Sequence, residues 1–135
     1  MLKKITVIGV IGIIILVIIG ISLPNTETDD VQETELTVTG DVIMPSKVSR
    51  PGCEENDRCY IPSLIVTEKG KQVTWVNEDS AFHSVTSGFY DAPTDLFDSG
   101  HLDPFESYTL TFDETGIYDY YCTLHPWMQG QVIVE

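Results

Sequence analysis

The 135-residue sequence predicts an all-β domain, a two-sheet antiparallel Greek-key sandwich, preceded by one N-terminal transmembrane helix. Three observations carry this prediction. Short runs after residue 36 alternate apolar and polar side chains, which is the period of a half-buried strand. Gly, Pro and Asp separate these runs at short intervals, and no stretch after Leu23 shows a helical period. Residues 5–23 contain no charged side chain at all, as expected of a segment surrounded by lipid rather than water.

The N-terminal run comes first. Its 19 residues span about 28 Å as a helix, close to the hydrocarbon thickness of a bilayer. A buried core helix would need a polar face, for which the run offers only Thr6 and Ser22. The length favours a permanent anchor over a removed signal peptide, while Gly20-Ile21-Ser22 also supplies a small-x-small cleavage site. Lys3 and Lys4 precede the run, so the positive-inside rule sends the remainder to the extracytoplasmic side of the cell membrane. Residues 1–24 are thus an anchor or signal segment. Residues 25–35, with a single apolar side chain, form an acidic solvated tether, and residues 36–135 form the domain.

Within the domain, Leu36-Thr-Val-Thr-Gly-Asp-Val-Ile43 alternates, with a kink at Gly40. A cysteine loop follows, then strands over 61–67 and 72–77 joined by the turn Glu68-Lys-Gly-Lys71. Residues 87–105 hold Pro93, Gly100 and Pro104 and read as a long connection with at most a short strand near 96–98. Residues 108–112, 117–122 and 131–135 alternate again. Seven or so short strands in roughly 100 residues suit a sandwich. Trp75 and Tyr118 are expected in its core, and Tyr118 is also placed to form a tyrosine corner. Met44 is expected to be core as well.

All 21 acidic residues follow Pro24, with five basic ones, so this part carries a net charge of −16. Such a charge repels nucleic acid and anionic lipid, which removes nucleic-acid binding from consideration, and would steer a cationic partner.

Cys53 and Cys59 lie six positions apart in a turn-rich segment, and an oxidising location favours their pairing as a disulfide. Cys122 is then left unpaired, a liability outside the cell unless a metal holds it as thiolate. Its surroundings, Tyr118-Asp-Tyr-Tyr-Cys122-Thr-Leu-His125-Pro-Trp-Met128-Gln-Gly130, put a thiolate, an imidazole and a thioether within seven residues. This soft mixed set suits copper, which takes two His, one Cys and a weak axial Met. The loop lacks a second imidazole. His83, just beyond the Trp75 strand, is expected to supply it, whereas His101 has no partner motif and is expected to be structural. Alternation puts Tyr118, Tyr120 and Cys122 on the core face, and Ile117, Asp119 and Tyr121 on the outer one.

On these residues, the region from Leu36 to Glu135 resembles a cupredoxin, the type 1 blue copper family, and Cys122-Thr-Leu-His125-Pro-Trp-Met128 is similar to the ligand loop of its plastocyanin/amicyanin group. The resemblance implies one copper ion with His83, Cys122 and His125 as strong ligands and Met128 as the axial one. It implies a monomeric electron carrier, not an enzyme, that exchanges single electrons with a donor and an acceptor docking near His125. Tyr121 offers a second port. The alternative is a copper-binding or copper-delivery protein using the same ligands. Two positions depart from the family pattern. Ser84 stands where Asn is usual and could still bond Thr123. Leu124 stands where Pro is usual, and its N–H is expected to give the Cys122 sulfur a second hydrogen bond and so a higher reduction potential than a Leu124→Pro variant.

Overall fold

The computed structural model describes residues 40–135. The expected anchor, tether and residues 36–39 of the first expected strand lie outside the described residues. Among the described residues, no helix is long and apolar enough to cross a membrane.

Among the described residues, eight strands form two sheets: β1 (Val42–Met44), β2 (Leu64–Thr67), β3 (Gln72–Asn77), β4 (Thr86–Phe89), β5 (Ala92–Asp98), β6 (Ser107–Thr111), β7 (Gly116–Tyr121) and β8 (Gln129–Val134). One sheet has the order β1-β3-β6 and the other β2-β8-β7-β4-β5. The period-two pattern explains which side chains meet between them. In β3, Val73 and Trp75 turn inward, while Gln72 is exposed and Thr74 half-buried. In β8, Val132 and Val134 do the same. The core joins Val42, Met44, Val73 and Trp75 of the first sheet to Phe97, Tyr120, Val132 and Val134 of the second. Trp75 meets Tyr120 edge-on at 5.4 Å, with Phe112 and Tyr108 on its other sides. Each large side chain taken fully out of water here contributes about 1.5–3 kcal/mol. Tyr118 donates from Oη to the Glu114 carbonyl at 2.9 Å, closing the expected corner at the start of β7.

Three expectations need correction. The sandwich is mixed rather than antiparallel: β1 pairs with β3 and β2 with β8 in parallel. Alternation is the same in either direction, and parallel neighbours arise here because the chain changes sheet between them, β1 and β3 being separated by β2 in the other layer. The segment 87–105 is no plain connection, since β4 and β5 form a hairpin through Phe89 and Ala92, with a register shift between Thr86 and Gly88. Gly88 sits at φ 95° against the backbone of residues 92–94, a close approach that only glycine accommodates. Pro93 is tolerated because β5 is the edge strand, with one side of its backbone unpaired. Lastly, Tyr121 faces outward but is buried, its ring covered edge-on by Tyr90 at 6.3 Å.

Candidate metal centre

Strands β7 and β8 form a hairpin in which Tyr121 pairs with Gln129, and the connecting loop carries Cys122, His125 and Met128. Three backbone hydrogen bonds set its shape. Cys122 N donates to Met128 O at 3.1 Å, His125 N to Cys122 O at 3.3 Å, and Met128 N to His125 O at 2.8 Å. Both loop ends are therefore fixed by the same ladder that holds the sheet. His83 arrives between β3 and β4, its backbone locked to Leu102 by a reciprocal pair of bonds of 3.3 and 2.8 Å.

These two segments bring three donor atoms together. Cys122 Sγ lies 3.8 Å from His83 Nδ1 and 3.6 Å from His125 Nδ1, and the two ring nitrogens are 3.1 Å apart. Cys122 and His83 are fully buried, and His125 is half-exposed at the rim. Donors held by one ion at about 2.0–2.3 Å in a plane would stand roughly 3.5 Å from one another, so the triangle has the size of a single trigonal site. Met128 is fully buried at the end of the same loop. His101 is exposed and outside this group.

The surroundings fix each donor. His83 Nε2 is 3.0 Å from Asp79 Oδ2. A carboxylate there accepts the ring N–H, which assigns the hydrogen to Nε2 and leaves the Nδ1 lone pair facing the sulfur. The Cys122 sulfur accepts the Ser84 backbone N–H at 3.3 Å. Ser84 Oγ accepts Thr123 N–H at 2.9 Å and meets Thr123 Oγ1 at 3.1 Å, the brace expected of this position. The expected bond from Leu124 N–H to the sulfur is not formed among the described residues; the amide that reaches the sulfur comes from the neighbouring segment at Ser84. Burial lowers both imidazole pKa values below the ordinary 6.5, against the pull of Asp79 at His83 and reinforced by His83 at His125. Burial alone would raise the Asp79 carboxyl, but the Lys47 amide, the His83 ring and the Ser80 and Ser49 amides outweigh it and bring the value down to about 2.

A family model described as copper binding proteins of the plastocyanin/azurin family matches residues 48–135, well over half of the chain. The chain belongs to this family. Among the family's members, amicyanin of Paracoccus versutus is 37% identical over 76 residues, covering 56% of this chain and 58% of that protein. Plastocyanin of Sambucus nigra is 30% identical over 94 residues, 62% of this chain and 95% of that one. The solved structure described as a novel purple cupredoxin from Nitrosopumilus maritimus superimposes with a TM-score of 0.63 at 32% identity, covering 70% of this chain and 97% of its own. The chain spans about half the length of the amicyanins that it matches.

As a cupredoxin, the chain has a donor set that fits the copper of its family: two imidazoles and a cysteine sulfur around one point, with Met128 at the end of the same loop. The cysteine assignment agrees, Cys53 and Cys59 forming a disulfide and Cys122 remaining free. The sequence reading missed Asp79. Its only signal was position, as a polar residue four before His83 and two after Asn77 at the end of β3. Also missed was the strap 47–49, which sends Lys47 and Ser49 amides to Asp79 and the Val48 carbonyl to the Trp127 indole at 3.1 Å.

Proposed function

We propose that this cupredoxin carries single electrons on one copper ion held by His83, Cys122 and His125, with Met128 as a weak axial ligand. The observation that carries the reading is the triangle of Cys122 Sγ, His83 Nδ1 and His125 Nδ1, with edges of 3.1 to 3.8 Å, on a strand-anchored frame. Bound copper supplies a one-electron Cu(I)/Cu(II) couple. What the chain contributes is rigidity: the loop ladder, the His83–Leu102 bridge and the Ser84 brace hold the donors where both oxidation states accept them, so little rearranges when an electron moves. Four protein donors leave no open position for a substrate, which supports a carrier over an enzyme.

The electron passes at His125, the only donor at the rim. Exposed Leu124 and half-buried Pro126 and Trp127, the last with its ring 5.3 Å from the imidazole, surround it with apolar surface. Such a patch suits brief docking of a redox donor and then an acceptor. We place the domain as a monomer on the extracytoplasmic side of the cell membrane, held through residues 5–23 and a tether over 25–35. Support for that placement is the uncharged run, the lysines before it and the disulfide.

The test is to load the purified chain with Cu(II) and record absorption, electron paramagnetic resonance and a redox titration. Expected are one copper per chain, an intense visible charge-transfer band with narrow copper hyperfine splitting, and reversible one-electron reduction. A pale or colourless copper complex would point to delivery or storage, and more than one ion per chain would overturn the single-site reading. Recovery in the soluble fraction after expression of the full chain would overturn the anchor.

A further inference from the structure

Asp79 is fully buried beside His83, and nothing in the ligand pattern calls for it. Every acceptor direction of its carboxylate is occupied. Oδ1 receives the amides of Lys47 at 2.9 Å and Ser80 at 2.8 Å, while Oδ2 receives Ser49 at 3.2 Å and the His83 ring at 3.0 Å. Its own amide donates to Asn77 Oδ1 at 2.9 Å, and Asn77 Nδ2 is tied to the carbonyls of Ala81, Leu102 and Asp103. The carboxylate therefore cannot turn, and neither can the ring that it holds.

Its charge is also unusual. Among the described residues, its only charged or ionisable partner is His83, and no Lys or Arg side chain pairs with it. A buried anion with no cationic side chain beside it is costly unless another cation lies close. The nearest place for one is the far side of the imidazole. An oxidised ion, the thiolate and this carboxylate sum to neutrality, whereas the reduced ion leaves one negative charge in a dry site. The Ser84 amide acts in the opposite sense, by stabilising charge on sulfur.

We propose that Asp79 is a positioning residue for the metal: it fixes the His83 ring with Nδ1 toward the ion, and its buried charge favours Cu(II) over Cu(I). This rests on the assignment of His83 as a ligand. The carboxylate acts through the imidazole, raising its basicity as a ligand and preventing it from swinging away.

The experiment compares the copper-loaded full chain with D79N, D79E and E78Q, the last removing an exposed charge one residue away. Copper affinity is measured in both oxidation states, with the potential and visible spectrum. D79N should bind Cu(II) about 10–100-fold more weakly and Cu(I) with a smaller loss. A tenfold difference between the two losses raises the potential by about 59 mV. D79E should recover part of the shift, and E78Q should match wild type. A folded D79N with wild-type potential and Cu(II) affinity overturns the role of Asp79 while leaving the copper site standing. A wild-type chain that takes up no copper overturns the site and this inference together. Because D79N could fail to fold, nitrogen NMR of the wild-type Cu(I) protein gives a second measure: His83 should show a protonated Nε2 and a ligated Nδ1, and the reverse tautomer overturns the proposal.

Discussion

Gly130 stands directly opposite Tyr120 across the β7–β8 ladder, and the Tyr120 phenol occupies the space where a side chain on Gly130 would begin. Tyr120 is fully buried against Trp75 and Tyr60, so the ring has nowhere to retreat. Gly130→Ala should therefore cost about 1–3 kcal/mol of stability through overpacking, read by urea unfolding. A variant as stable as wild type would show that the ring moves freely and that the hairpin is not rigid at this point.

The three cysteines should separate cleanly. Cys122→Ser removes the thiolate and with it the intense visible band. Cys53→Ser opens the short Cys53–Cys59 loop, which should lower stability by about 2 kcal/mol on the chain-entropy estimate and leave the band in place. Loss of colour in the second variant would contradict the division into one ligand and one cross-link.

Around the sulfur, Ser84 and Leu124 should respond differently. Leu124→Pro removes an amide that the sulfur does not use, so the reduction potential should stay close to wild type. Ser84→Ala keeps the amide that reaches the sulfur but leaves the half-buried Thr123 N–H without its partner, at a cost of about 1 kcal/mol, with the colour retained and copper lost faster to a chelator. A clear fall in potential for Leu124→Pro would show that its N–H reaches the sulfur after all.

For the copper-free chain, the direction of the acid response follows from the shifts. Folded His83 and His125 titrate below the ordinary 6.5, so the unfolded chain binds protons first. Their contribution is complete above pH 6.5 and is lost as pH falls through it. Asp79 behaves in the usual carboxylate sense: folded at about 2 against 3.8 unfolded, it stabilises above pH 3.8 and loses that contribution on the way down to 2. Unfolding free energies measured by urea between about pH 8 and pH 2 should thus decline in two stages. A flat profile through pH 6 would remove the histidines as contributors.

Docking at the rim is tested by Leu124→Glu, which places a charge in the apolar ring around His125. Electron exchange with small inorganic oxidants should change little, while exchange with a protein partner should slow by an order of magnitude or more, roughly the effect of one unpaired charge at an interface core. Equal slowing with both would mean that the site itself, and not its docking surface, had been disturbed.

Much of this was legible in the sequence because it is local. Cys122, His125 and Met128 sit in one loop, and alternation in β3, β7 and β8 orients their anchors. Information held between distant segments was not legible. Strand direction leaves no trace in alternation, so an antiparallel sandwich was expected and the parallel β1–β3 and β2–β8 pairs were not foreseen. The β4–β5 hairpin was concealed by Gly88 and Pro93, residues that break a periodic pattern but fit a bulge and an edge. Alternation correctly turned Tyr121 outward, yet could not tell that Tyr90 covers it. Asp79 is one of 21 acidic residues in the chain, and only its burial and its contacts with His83 and the 47–49 strap, none of them local in sequence pattern, set it apart.

The strap of residues 47–49 reaches both sides of the centre through main-chain atoms alone, with Lys47 in a left-handed conformation at φ 76° and its side chain in solvent. The side chains of Lys47 and Ser49 are thereby uncoupled from that task, while Val48 also packs in the core. Relatives could replace positions 47 and 49 and keep the same centre, while a proline at 47 or 49, or a single deletion, would disturb it without altering any donor. A comparison restricted to ligand motifs would register no difference between the two outcomes.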